Sequence, residues 1–227
     1  MGYKILLFDL DDTLLDFGAN EADSLKRLFG EHGLVLTHEL FQIYSAVNEE
    51  LWSDCEKCLI PLSEVLNTRF TNTLLIFGQS GDGLAWESRY RELLGEGAQL
   101  IDGALELCRS LAHSHRLFVI TNGVTETQIK RLKRSGLSEY FEDVFISQSI
   151  GYQKPSKEFF DYVTAHIRDF RSEDALVIGD SLSTDIKGGI SAGIDTCWLN
   201  RNSKPLSSEV QSTYIISNLE ELHGILG

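Results

Sequence analysis

Two acidic clusters, far apart in the chain, carry the first suggestion of chemistry. Asp9 and Asp11 stand in Phe8-Asp9-Leu10-Asp11-Asp12-Thr13, and Asp180 and Asp185 stand in the stretch GDSLSTD. Between the clusters lie Thr121-Asn122-Gly123 and Lys154-Pro155. An extended Asp9-x-Asp11 projects both carboxylates toward one side. Asp180 brought beside them would make a cluster whose mutual repulsion calls for a cation. An all-oxygen carboxylate set open to water and phosphate suits Mg²⁺. The Thr121 hydroxyl, the Asn122 amide and the Lys154 ammonium are donors suited to the three oxygens of a phosphoryl group. Together these groups predict phosphoryl transfer. One carboxylate would be the covalent nucleophile, and a second would protonate the leaving oxygen and then take a proton from water. Asp9, at a strand end and so the more rigidly held, is assigned the first role and Asp11 the second.

The elements that must position these groups are legible as apolar runs. Residues 5–8, 117–120, 144–146, 175–178, 196–199 and 214–216 are short, do not alternate, and read as strands buried on both faces. From residue 102 onward, segments of helical period alternate with them. This implies a doubly wound parallel α/β sheet, Rossmann-like, with crossover helices on both faces. Ligands bind such sheets beyond the carboxyl ends of the strands, where each polar segment falls. One helical segment, Gln128 to Arg134, ends at Gly136, with Arg131 among basic residues suited to a helix C-terminus.

Residues 17–97 break the alternation. Helical spacing over 21–32, 39–55, 64–77 and 84–94, with no strand between, predicts an inserted α-helical domain. The α/β core is then 1–16 and 98–227. The crossings at Phe17-Gly18 and Gly95-Glu96-Gly97 would suit a hinge.

Composition bounds what such a site could serve. With 42% hydrophobic and 24% charged residues the chain has an ordinary globular make-up. Its formal net charge of −14 disfavours nucleic-acid polymers and anionic bilayers as partners. No apolar run approaches the roughly 18 residues of a membrane span. The acidic N-terminal stretch excludes a signal peptide there. Four cysteines are too sparse for a disulfide framework, so a cytoplasmic protein with reduced thiols is expected.

The motifs FDLDDTL, ITNG, QKP and GDSLSTD, in that order and at strand ends, resemble the haloacid dehalogenase superfamily of phosphohydrolases. The likeness covers residues 3–16 and about 102–200. It implies Asp9 as the residue that forms an aspartyl phosphate, Asp11 as acid and base, and Thr121, Asn122 and Lys154 as phosphate contacts. It also implies Asp9, the Asp11 backbone carbonyl and Asp180 as Mg²⁺ ligands, with Asp185 orienting the metal shell. The helical insert is similar to the family's cap, which closes over the site and selects the substrate. GDSLSTDIKGGISAGIDTCWLN with DLDDTLLDF further resembles the branch of pyrimidine nucleoside 5′-monophosphate phosphatases. Asp12 stands where many relatives carry Gly.

The resulting expectation is a Mg²⁺-dependent phosphomonoesterase acting on a small phosphorylated metabolite, a nucleoside monophosphate first. A sugar-phosphate or phosphoglycolate phosphatase is the alternative within that chemistry. Dehalogenation is disfavoured because that branch lacks the second carboxylate. A receiver-like signalling module would carry its phosphoacceptor after the third strand, where the sequence reads SQSIGYQ. In the insert, Phe41, Tyr44, Trp52, Phe70, Phe77, Trp86 and Tyr90 read as core, with Tyr44, Trp52 and Trp86 as candidates for stacking on a base. Cys55-Glu56-Lys57-Cys58 has zinc-site spacing but no second pair, and is expected to be a helix end with two incidental thiols.

Overall fold

The computed structural model describes residues 2–206 and 208–227. Strand β1 (Ile5–Phe8) opens the chain and is buried on both faces. Four helices follow: α1 (Phe17–Glu31), α2 (His38–Glu56), α3 (Leu62–Ile76) and α4 (Gly83–Glu96). The chain then alternates through α5 (Ala104–Leu111), β2 (Arg116–Thr121), α6 (Thr125–Arg134), β3 (Asp143–Ile146), α7 (Ser147–Ile150), α8 (Lys157–His166), β4 (Ala175–Gly179) and α9 (Lys187–Ser191). It closes with β5 (Asp195–Leu199), β6 (Tyr214–Ile216) and α10 (Leu222–Leu226). The chain divides into two compact units, one running through Phe17 and resuming at Ala98, the other Gly18–Gly97.

In the first unit six strands form one sheet in the order β3-β2-β1-β4-β5-β6. All neighbours are parallel, with Leu7 of β1 opposite Phe118 of β2 and Val177 of β4. Parallel strands need both faces covered, and alternate residues divide accordingly. Leu6, Phe8, Val119 and Ile178 pack on one face with Leu107 of α5 and Leu222 of α10. Ile5, Leu7, Ile120 and Val177 pack on the other with Phe159, Phe160 and Val163 of α8. Each such apolar side chain contributes about 1.5–3 kcal/mol by its burial, so the strand ends that carry the polar residues are firmly anchored. The doubly wound α/β core with a helical insert expected from the sequence is the architecture found.

The alternation does not run to the end as expected. Between β5 and β6 the described residues form a loop without a helix, rich in Ser and Asn and interrupted by Pro205. No apolar period is available there to bury a helix face.

In the helical unit, Phe29, Tyr44, Phe70, Trp86 and Tyr90 form a cluster of edge-on and tilted rings. Tyr44 is wholly buried and Trp86 only 5% exposed. Two of the three rings expected as base-stacking candidates are therefore core, and Trp52 alone of them is half-exposed. The cluster also encloses an ion pair that hydrophobic patterning did not reveal. Arg69 donates from Nε and Nη2 to Glu87 at 2.6 and 2.8 Å and from Nη1 to Asn48 at 3.1 Å. Its guanidinium lies 4.7 Å from the centre of the Tyr90 ring. Replacing Arg69 by Met leaves the buried Glu87 carboxylate with only the looser ion pair to Arg91 at 3.4 Å, and is expected to cost about 3–5 kcal/mol in urea unfolding. A loss under about 1 kcal/mol would mean that Glu87 is neutral there.

All four cysteines are free thiols, with Cys55 buried in the last turn of α2 and Cys58 exposed beyond it. No helix among the described residues is long and apolar enough to cross a membrane.

Candidate active site

From β1 the chain winds outward through β2 to β3. It then returns to the other side of β1 with β4 and winds outward again through β5 to β6. The carboxyl ends of β1, β2 and β4 therefore flank the point where winding reverses, the usual ligand crevice of such sheets. Asp9 directly follows β1 and continues its ladder, its N–H donating to the Ile178 carbonyl at 2.8 Å. The carboxylate is buried and held from both oxygens. Lys154 Nζ donates to Oδ1 at 2.6 Å, and Thr13 Oγ1 donates to Oδ2 at 3.1 Å.

Lys154 is itself buried, and it spends all three ammonium hydrogens within the protein. They go to Asp9, to Asp185 Oδ1 at 2.6 Å and to the Ile120 carbonyl at 2.9 Å. Asn122 fixes the segment that delivers it, donating to the Lys154 carbonyl and accepting from the Lys154 N–H, both at 2.9 Å. The Asn122 amide, expected to reach a phosphate directly, is thus engaged with the lysine's main chain. Thr121 ends β2 with its hydroxyl buried beside these groups.

Asp180 directly follows β4, and Asp185 lies in the wide helical turn Leu182–Ile186. That turn folds Asp185 back so that Oδ2 accepts the Ser181 N–H at 3.1 Å. The close approach needs Gly179, because a β-carbon there would sit 2.2 Å from Asp185 Oδ2. One oxygen each from Asp9, Asp180 and Asp185 then lie within 4.8 Å of one another. The sequence predicted Asp11 as the third carboxylate of this cluster, and the structure puts Asp185 there instead.

The electrostatics follow from three carboxylates facing one ammonium. Burial pushes the Asp9 carboxyl well above its usual range, Asp185 and Asp180 push further, and Lys154 opposes them. Burial, then Asp185 and Asp12, push Asp180 up to about 7. Although burial works against the Lys154 ammonium, Asp185 and Asp9 hold its pKa above the ordinary lysine range. An all-oxygen donor set with excess negative charge fits a hard divalent cation such as Mg²⁺. Below pH 7 a proton resides on Asp180 and must be displaced by any ion that binds. Mg²⁺ is therefore expected to raise the unfolding temperature by clearly more at pH 8 than at pH 5. Equal shifts at the two pH values in a thermal melt would argue against the carboxylate cluster as the ion's site.

The Asp11 carboxylate is held by other partners. Gln128 Nε2 donates to its Oδ2 at 2.7 Å, and Arg131 Nη1 donates to its Oδ1. Immediately after it, Asp12 takes a left-handed φ of 59° and its N–H donates to the Leu15 carbonyl, reversing the chain. That conformation is natural for Gly and tolerated by Asp. The helical pattern predicts Arg131 among the cations of a helix end and assigns Gln128 no role. Both lie on the buried face of α6, next to Leu132. A basic and an amide residue three apart, in register with an apolar one, was the available signal.

A family model of haloacid dehalogenase-like hydrolases matches residues 3–193. The chain belongs to the haloacid dehalogenase-like hydrolases. This hydrolase superimposes on the magnesium-bound crystal structure of the HAD-hydrolase YfnB from Bacillus subtilis with a TM-score of 0.96 at 47% identity, both chains being covered in full. It is 41% identical to the pyrimidine 5′-nucleotidase PynA of Streptococcus pneumoniae, over 98% of this chain and 94% of that one. It is 31% identical to the pyrimidine 5′-nucleotidase YjjG of Escherichia coli, over 100% and 99% of the two chains. The likeness to the pyrimidine nucleotidase branch read from the motifs is therefore shared by the whole chain.

Proposed function

We propose that this hydrolase is a cytoplasmic Mg²⁺-dependent phosphomonoesterase that forms an aspartyl phosphate on Asp9, with pyrimidine nucleoside 5′-monophosphates as its preferred substrates. The observation that carries the chemistry is a buried Asp9 carboxylate held between Lys154 and Thr13 at the end of β1, beside Asp180 and Asp185. Kinship with PynA and YjjG supports the choice of ester.

Asp9, Asp180 and the Asp11 carbonyl would hold Mg²⁺, with Asp185 orienting its shell, and the ion would supply charge neutralisation at the phosphoryl oxygens. The protein's own groups carry the proton and bond changes. A carboxylate oxygen of Asp9 attacks phosphorus, the bond from phosphorus to the nucleoside 5′-oxygen breaks, and that oxygen takes the electron pair and a proton from Asp11. A water then gives a proton to Asp11 and attacks the same phosphorus. The bond to Asp9 breaks with its electron pair returning to the carboxylate, inorganic phosphate leaves, and Asp11 is again protonated. Lys154 favours the ionised form of the Asp9 carboxylate against the effect of burial, and Thr121 donates to a phosphoryl oxygen. Asn122 serves by pinning the lysine. Selection among esters falls to the helical insert.

The test is phosphate release from nucleoside monophosphates, sugar phosphates and phosphoglycolate, with Mg²⁺ and with chelator. Release concentrated on pyrimidine monophosphates, and lost by at least about 100-fold with chelator, is expected. Release concentrated on sugar phosphates or phosphoglycolate would keep the chemistry and overturn the nucleotide assignment. A stable phosphoenzyme without turnover would favour a signalling module.

A further inference from the structure

We infer that Gln128 and Arg131 are positioning residues that orient the Asp11 carboxylate and aim the Thr121 hydroxyl. The inference rests on the reading of Asp11 as acid and base and goes beyond it by naming the residues that hold it in place.

Side chains from one turn of α6 reach both groups. Gln128 Nε2 donates to Asp11 Oδ2 at 2.7 Å and to Thr121 Oγ1 at 2.9 Å, so one amide ties the two functional side chains together. Arg131 Nη1 takes the other Asp11 oxygen and also donates to Gln128 Oε1 at 3.0 Å, which fixes the amide's orientation. Both carboxylate oxygens of Asp11 are therefore held, by two residues that also hold each other.

The Thr121 hydroxyl is constrained by the same arrangement. It accepts from Gln128 and, at 3.1 Å, from the Gly123 N–H. With both lone pairs occupied, its single proton is left for donation to a third partner. Gly123 makes room for this geometry, because a β-carbon there would lie 2.3 Å from Gln128 Nε2.

The arrangement is not one that fold stability favours. Arg131 is 1% exposed, its Nε is buried without a partner among the described residues, and its one acidic partner, Asp11, stays about 30% exposed. A buried guanidinium with an unsatisfied N–H costs free energy that a Leu or Met at this position would not.

Leaving groups separate a positioning role from a merely structural one. A nucleoside alkoxide needs a proton to depart, whereas p-nitrophenolate departs without one. Rapid mixing of Arg131→Met and Gln128→Leu with uridine 5′-monophosphate and with p-nitrophenyl phosphate, in Mg²⁺, reads the first half-reaction on each. For Arg131→Met the first turnover on the nucleotide is expected to slow by about 100-fold. The p-nitrophenolate burst should stay within about threefold of the parent and be followed by slow turnover, because the second half-reaction still needs a base. Gln128→Leu should slow the first turnover on both esters, because Thr121 loses its aim on the phosphoryl group they share, and slow the nucleotide more; Arg131→Lys should restore most of the nucleotide rate. Equal slowing of both first turnovers by Arg131→Met, or no slowing of either by it, overturns the inference. Asp11→Asn is run alongside. If it lacks the selective loss on the nucleotide, the reading of Asp11 itself fails and the inference falls with it. If it shows the loss and Arg131→Met does not, only the positioning role is wrong.

Discussion

Replacing Asp9 by Asn is expected to lower kcat by about 10⁴-fold or more, since the nucleophile is lost. The same change is expected to make the metal-free protein more stable at pH 8. Burial, Asp185 and Asp180 all disfavour the Asp9 carboxylate, and the Lys154 ammonium only partly offsets them. A carboxyl whose pKa is raised on folding costs nothing below its unfolded value of about 4 and costs more as pH rises above it. The gain from Asn should therefore be present at pH 8 and vanish near pH 4. Steady-state rates with Mg²⁺ and thermal melts without it read the two effects separately. A variant within tenfold of the parent rate would remove Asp9 from its assigned role. A variant that is inactive but less stable at pH 8 would mean that the pairing with Lys154 outweighs the carboxylate repulsion.

Replacing Lys154 by Met is expected to injure both folding and catalysis. The ammonium is buried and makes contacts at 2.6, 2.6 and 2.9 Å to Asp9, Asp185 and the Ile120 carbonyl. Without it, two buried carboxylates face Asp180 with no side-chain cation of comparable closeness. The nearest alternative, Lys204, is half exposed and 3.7 Å from Asp180. Breaking a buried ion pair by removing one partner costs about 3–5 kcal/mol, so the urea midpoint should fall markedly at pH 8. Mg²⁺ should recover part of that loss, because a bound cation relieves the same repulsion. The rate should fall by about 100-fold or more even where the protein remains folded, since Asp9 would lose the ammonium that favours its ionised form. Arg in this position should not rescue, because a planar fork cannot make the three convergent contacts of an ammonium. An unchanged urea midpoint for Lys154→Met would show that the carboxylates accept protons at little cost.

Much of this molecule is legible without coordinates because its determinants are local. Runs such as Ile5–Phe8 are apolar on both sides of the pleat, so strand and burial follow from a few adjacent residues. Polar residues directly after such runs, or on the segment that follows as with Lys154, lie at one edge of a parallel sheet, which brings Asp9, Thr121, Lys154 and Asp180 together on topology alone. The helical insert was readable by the same reasoning, from period and punctuation over single segments.

What only the tertiary structure decided is which polar group holds which. Asp11 pairs with Arg131 across 120 positions of sequence, and Lys154 with Asp9 across 145. Asn122 turned out to grip the Lys154 backbone, Asp185 rather than Asp11 completed the carboxylate cluster, and Tyr44 and Trp86 went into a core with the Arg69–Glu87 pair. A hydrophobic run needs only to leave water, and any apolar neighbour serves. A buried polar group needs a specific partner at hydrogen-bond distance. Whether that partner is within reach depends on how distant segments pack, which no local pattern in this sequence encodes.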